Sequence, residues 1–138
     1  MIEALTEVTA MNDGVLSALT HLRNGSIEIA LAKFAKNFCF TDRARGLHFT
    51  DKDRLREFIL KERELHLDSS FQLKKSVVTE NHVIAGWLLE YTSRRPYYGS
   101  VLRDMFISVQ GISFIHTSKG KICNWSDYYD KPSPLLQP

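Results

Sequence analysis

Asp127 is the residue of this chain with the most chemical promise. It stands in the run Lys121-Ile122-Cys123-Asn124-Trp125-Ser126-Asp127-Tyr128-Tyr129-Asp130. Strand alternation puts Cys123, Trp125, Asp127 and Tyr129 on one face and Ile122, Asn124, Ser126 and Tyr128 on the other. A carboxyl group beside Trp125 and Tyr129 is expected to be partly desolvated. Loss of water disfavours the charged form, which moves the group towards the range of a useful acid or base. The plainer alternative is that Asp127 pairs with an arginine or a backbone donor and serves packing alone. Asp42 is a second carboxylate, followed by Arg43-Ala44-Arg45-Gly46. Two carboxylates that converge on one cavity can divide acid and base roles. As a turn residue, Asp42 would instead bond its own backbone.

Other candidates are more diffuse. Glu90, Thr92 and Arg94 share one strand face, opposite Trp87, Leu89 and Tyr91. Glu90 and Arg94 are expected either as an inward ion pair that positions a polar ligand group or as an exposed pair. Tyr91, Trp125 and Tyr129 are candidate ligand contacts. The stretch Arg94-Arg95-Pro96-Tyr97-Tyr98-Gly99 is placed to rim a pocket mouth. Of the histidines at 21, 48, 66, 82 and 116, no pair has close metal-ligand spacing. No phosphate-cradling glycine loop and no Gly-x-Ser-x-Gly elbow occurs. Neither a metal nor a cofactor is expected. Cys39 and Cys123 lack Cys-x-x-Cys spacing and lie in apolar stretches, so both read as buried free thiols.

These residues need elements to hold them. Leu5, Val8, Val15, Leu16 and Leu19 form a helical stripe that ends at Asn24-Gly25. Ser26 can cap a second helix with the stripe Ile27, Ala30, Leu31, Phe34. Asn37–Asp42 reads as a short aromatic strand. Thr50, with Asp53 three residues on, opens a third helix lined by Leu55, Phe58, Ile59 and Leu65. After Asp68 the period changes. Strands are expected over Phe71–Val78, His82–Arg94, Arg103–Thr117 and Lys121–Asp130, with turns at Glu80-Asn81 and Ser118-Lys119-Gly120. The tail Lys131-Pro132-Ser133-Pro134 cannot continue a sheet. Helices segregated from an antiparallel sheet define an α+β fold.

The 138 residues make one domain, 1–138, with 131–138 as a proline-rich tail. Apolar residues are 43%, enough for a core without staples. Eighteen basic residues against sixteen acidic give a net charge of +2, which argues against nucleic-acid partners. The N-terminus has Glu3 and Glu7 instead of a basic leader segment, and the longest apolar run, Ile84 to Leu89, is too short to span a bilayer. A soluble, cytoplasmic protein with no membrane partner is the expectation.

Two stretches resemble the SnoaL-like branch of the nuclear transport factor 2-like superfamily. Asn37-Phe38-Cys39-Phe40-Thr41-Asp42, then Gly46 and a capped helix, is similar to that family's first strand and turn. Gly111-Ile112-Ser113-Phe114-Ile115 and the Lys119–Asp130 run resemble its last hairpin, especially that of limonene-epoxide hydrolase-type proteins. The resemblance implies a cone-shaped, strongly curved, mostly antiparallel sheet closed by three helices from the N-terminal half. It also implies an apolar pocket for a small hydrophobic organic ligand, and homodimers through the sheet. In such a pocket Asp127 would face inward as the principal acid–base group, Asp42 would stand where ketosteroid isomerase-like members place a base, and His48 would lie near the pocket-lining loop. The chain departs from the pattern elsewhere. Arg94-Arg95-Pro96 lacks the aspartate of the epoxide hydrolases, and no tyrosine precedes Tyr91 to serve as a steroid-isomerase oxyanion donor. The implied function is isomerase-, cyclase- or hydrolase-type carboxylate chemistry on a small apolar substrate. The alternative is a non-catalytic ligand-binding or dimerisation module of the same fold.

Overall fold

The computed structural model describes residues 14–94 and 105–130. The first helix, α1 (residues 14–24), buries Val15, Ala18, Leu19 and Leu22. Leu5 and Val8, expected on the same stripe, lie outside the described residues. After a bend at Gly25, Ser26 caps α2 (Ile27–Leu31), its hydroxyl accepting from the Ile29 backbone N–H at 3.3 Å. Strand β1 (Phe34–Asp42) folds back on β2 (Leu47–Phe49), with Phe40 opposite Phe49 and Thr41 opposite His48. This short return strand is absent from the pattern reading, because three residues are too few to show a period.

Helix α3 (Lys52–Glu64) follows. Its cap is Asp51 and not the expected Thr50: the Asp51 carboxylate accepts from the Arg54 N–H at 3.0 Å. A charged acceptor suits the positive end of a helix better than a hydroxyl. Strand β3 (His66–Val78) starts five residues before the expected Phe71. Asp68 takes a positive φ of 51°, and a bulge between Leu67 and Ser70 lets the chain pair on either side of it. Strands β4 (His82–Ser93), β5 (Met105–Ser118) and β6 (Lys121–Tyr129) complete the set. Lys119 and Gly120, both at positive φ, turn β5 into β6 as a two-residue hairpin loop demands. The Arg95–Gly99 stretch, Asp104 and the 131–138 tail lie outside the described residues.

The six strands run in the order β2-β1-β6-β5-β4-β3, antiparallel except for the parallel pair β1–β6. The fold is α+β. One sheet face is buried: Val83, Ala85, Trp87, Leu89, Tyr91, Ile107, Val109, Ser113, Ile115 and Trp125 point into it and join Leu19, Leu22, Leu55 and Ile59 of the helices in one core. The opposite, outer face keeps Phe106, Ile112, Phe114 and Tyr128 exposed. Gly111 has a packing reason. A Cβ there would come within 2.3–2.8 Å of the Trp87 ring carbons, so only glycine lets the indole lie against β5.

Strand β6 departs from the expected alternation. His116 pairs with Asn124 and Thr117 with Ile122, leaving Cys123 as the extra residue of a bulge. Ile122 therefore takes the inner place expected for Cys123, while Trp125, Asp127 and Tyr129 keep theirs. Cys39 and Cys123 are free, but half-buried rather than buried, because Cys39 and its parallel partner Asn124 belong to the outer face. Among the described residues no helix is long and apolar enough to cross a membrane.

Candidate functional site

Asp127 sits on the inner face of β6 with 1% of its surface exposed. Its Oδ1 accepts from Ser113 Oγ at 2.5 Å and from Trp125 Nε1 at 2.6 Å. Arg23 Nη2, from the last turn of α1, donates to Oδ2. Trp87 Nε1 donates in turn to Ser113 Oγ at 2.9 Å. The Arg23 guanidinium lies 5.7 Å from the centre of the Trp87 ring, in cation–π range. The sequence left two roles open for this carboxylate, and its surroundings are those of the arginine-paired one. Two neutral donors and a guanidinium supply what lost water would have supplied.

Asp42 is the parallel-register neighbour of Asp127. Its Oδ1 accepts from the Arg45 backbone N–H at 3.0 Å, so it closes its own turn. Its Oδ2 accepts from Arg45 Nε at 3.0 Å and from the Tyr129 hydroxyl at 2.6 Å. Arg45 Nη1 reaches Glu62 Oε2 at 3.1 Å, and its guanidinium lies 5.0 Å from the Phe58 ring centre. Burial works against the Arg45 charge, but Glu62, Tyr129 and Asp42 outweigh it and hold the pKa above its ordinary value. Burial, and then the bond to Asp42, push the Tyr129 phenol well above the usual tyrosine range.

The remaining sequence candidates fall in different places. Trp125 is fully buried and spends its N–H on Asp127. Tyr91 is buried on the inner face and stacks on His66 with ring centres 3.7 Å apart. Glu90 belongs to the outer face opposite Ser108, whose hydroxyl is 3.5 Å away. Arg94 is exposed at the end of β4, its backbone N–H bonded to Leu65 O. The inward Glu90–Arg94 pair does not form, because Trp87, Leu89 and Tyr91 take the inner positions. His48 is exposed on β2, with Nδ1 3.0 Å from Thr41 Oγ1. It lines an outer cleft of about 410 Å³ with Cys39, Thr41, Arg43, Gly46 and Asn124. Tyr129 and Arg43 border a larger groove of about 720 Å³ lined by residues of both sheet faces, Trp87 and Gly111 of the inner and Ile112 and Tyr128 of the outer.

An inner group that motif reading missed lies between α1, α3, β3 and β4. A cavity of about 10 Å³ is lined by Leu22, Arg23, Ile59, Glu62, Arg63, His66 and Leu89. His66 Nε2 is 4.0 Å from Glu62 Oε2. Arg63 Nη2 donates to Gly25 O at 2.8 Å. A signal for these residues existed. Arg23 lies four residues after Leu19, and Glu62 and Arg63 lie three and four after Ile59. Those spacings put charged side chains on the apolar faces of their own helices. Among the described residues, no cluster of three or more His, Cys, Asp or Glu is arranged to hold a metal.

The architecture is an α+β fold shared with structures described as SnoaL-like polyketide cyclases and as having a ketosteroid isomerase-like fold. A ketosteroid isomerase-fold protein from Catenulispora acidiphila, in complex with trimethylamine, aligns with 89% of this chain and 90% of its own at a TM-score of 0.72 and 16% identity. A SnoaL-like polyketide cyclase structure from Shewanella denitrificans aligns over 88% of this chain and 90% of its own (TM-score 0.75, 12% identity). TerC co-crystallised with polyporic acid aligns over 87% and 91% (TM-score 0.69, 13% identity). No protein-family model and no curated protein matches the sequence.

Proposed function

We propose that this chain binds a small organic molecule between its helices and the inner face of its sheet, and acts on it by acid–base chemistry of the isomerase, cyclase or hydrolase kind. The carrying observation is the set of charged and titratable side chains, Arg23, Glu62, Arg63 and His66, that meets between the helices and the inner sheet face beside a fully hydrogen-bonded Asp127. Charged groups kept on a buried face are costly to folding and are commonly retained for a site. In this reading Asp127 is a positioning residue that holds Arg23, and Asp42 does the same for Arg45 and Tyr129. His66, with Glu62 behind it and Tyr91 beneath it, carries the proton. Two related structures hold small molecules, trimethylamine and polyporic acid, which supports the same use of this fold here. The free thiols agree with a cytoplasmic setting.

The test is a thermal-shift screen of small cyclic ketones and phenols, with trimethylamine and polyporic acid included. A compound that raises the melting temperature of the wild type, but not of Leu89→Trp, supports the site. When a compound is converted, His66→Ala should abolish turnover and keep binding. A panel without any stabilising member, or full turnover by His66→Ala, would contradict the respective part.

A second reading has its own observation. Ile112, Phe114 and Tyr128 sit close together on the outer face, each 44–51% exposed, with Phe106 exposed farther along β5. A second copy of the chain is the occupant we assign to this face, whether or not the inner site is catalytic. Sedimentation should give a dimer for the wild type and a folded monomer for Phe114→Glu. A wild-type monomer at high micromolar concentration would contradict it.

A further inference from the structure

The groove of about 720 Å³ crosses the sheet along one register row: Lys75 of β3, Gly86 of β4, Ile112 of β5 and Tyr128 of β6. Gly86 is the member of that row that the fold does not require. Gly111, on the next strand, is a glycine because the Trp87 ring fills the place of its side chain. Gly86 has no such neighbour. A Cβ there would come no closer than 3.9 Å to any atom beyond its chain neighbours, the nearest being the Lys75 carbonyl oxygen, and its φ is not positive. A glycine in the middle of a strand weakens it, and one without a packing reason marks a place where another group comes close to the backbone. The two shoulders of this trough differ. Ile112 and Tyr128 are about half exposed and offer an apolar, partly aromatic wall. On the other side, a bulge between Leu73 and Lys75 breaks the alternation of β3, and the consecutive Lys74 and Lys75 both line the groove. Lys74 Nζ donates to the neutral Gln72 Oε1 at 2.8 Å, and Lys75 has no side-chain partner among the described residues. Arg43 lines the far end, also without a side-chain partner among them. Asp130 is the one carboxylate on the lining, so three cations face a single acid. The volume suits a small organic molecule.

We infer that this groove binds an aromatic acid. Its flat ring lies on the Gly86 backbone against Ile112 and Tyr128, and its carboxylate meets the ammonium groups of Lys74 and Lys75. The missing side chain at Gly86 sets the shape of the occupant, since a flat ring can approach a bare strand at van der Waals distance. The excess of cations sets the sign of its charge. This site is separate from the one between the helices and the inner sheet face. It shares Ile112 and Tyr128 with the face assigned to a second copy, so the acid and the copy compete for those two side chains.

The experiment titrates the full chain with 2-naphthoate and with the neutral 2-naphthamide, read by naphthalene fluorescence. The protein is kept dilute enough that a second copy does not compete. 2-Naphthoate should bind about ten-fold or more tighter than the amide. Gly86→Val fills the trough, so it should keep or raise the melting temperature and weaken 2-naphthoate by about ten-fold or more. Lys74→Gln combined with Lys75→Gln should remove the preference for the acid and leave 2-naphthamide unchanged. That double variant decides alone if Gly86→Val does not fold. Equal binding of acid and amide by the wild type overturns the charge assignment. An unchanged 2-naphthoate affinity in Gly86→Val puts the probe at the inner site or elsewhere and overturns the groove. If the same variant instead loses the dimer, the trough belongs to a second copy. A wild type that binds neither compound overturns the proposal and leaves the inner site to its own screen.

Discussion

Asp127 and Asp42 are neighbours across the β1–β6 pair, yet they are built differently. Asp127 is bonded to groups from three elements, the farthest being Arg23, 104 residues away in sequence. Asp42 is bonded mainly to its own turn, through the backbone and side chain of Arg45 three residues on, and to Tyr129. Asp127 therefore joins helix α1 to the sheet, whereas Asp42 stiffens a local corner. Two like charges on adjacent strands coexist because each has its own arginine. Position in the network, more than residue type or burial, decides what each carboxylate does.

The difference predicts unequal penalties. Asp127→Asn leaves Arg23 buried without its counter-charge and should lower unfolding free energy by about 3–5 kcal/mol in urea titration. A loss below about 1 kcal/mol would place Asp127 on a par with a surface residue. Gly111→Ala probes the indole that completes the Asp127 network. Its methyl group would be driven into the Trp87 ring, at a cost of about 1–3 kcal/mol with a changed near-ultraviolet tryptophan signal. Asp42→Asn should cost less, about 1–2 kcal/mol, because Arg45 keeps Glu62. A penalty equal to that of Asp127→Asn would erase the contrast.

Tyr129→Phe is the mildest change, about 1 kcal/mol at neutral pH. Its pH dependence is distinctive. The folded phenol pKa is raised above the unfolded value of about 10, so the protonated form favours folding. That contribution is complete below pH 10 and is lost as pH rises through the folded value. Absorbance at 295 nm should show one tyrosine ionising later than the others, and Tyr129→Phe should remove that late phase. A wild-type titration without a late phase would mean that the phenol is not held by Asp42.

The alternation of β4 and of Trp125, Asp127 and Tyr129 in β6, with the hairpin at Lys119-Gly120, was legible in the sequence, since period-2 burial and a turn glycine are local signals. Asp127 stood out for the same reason, between two aromatics on one strand face. Its partner did not. Arg23 comes from a helix 104 residues away, and no local pattern couples the two. The bulge at Cys123 also escaped, because one extra residue puts Ile122 on the same face as Trp125, Asp127 and Tyr129 without a mark in composition. Glu62 and Arg63 hid in the charged last turn of α3, and His66 at the first position of β3. Only the three- and four-residue spacing of Glu62 and Arg63 from Ile59 betrays that some of those charges look inward.

A double-mutant cycle on Arg23 and Asp127 tests the core of this account most directly. Arg23→Met, Asp127→Asn and the double variant are compared by urea unfolding. Substantial coupling is expected, about 2–3 kcal/mol, with the double variant more stable than Asp127→Asn alone. Additive penalties, with coupling under about 0.5 kcal/mol, would mean that the two side chains do not act as a pair and that Arg23 is not held at the cavity by Asp127.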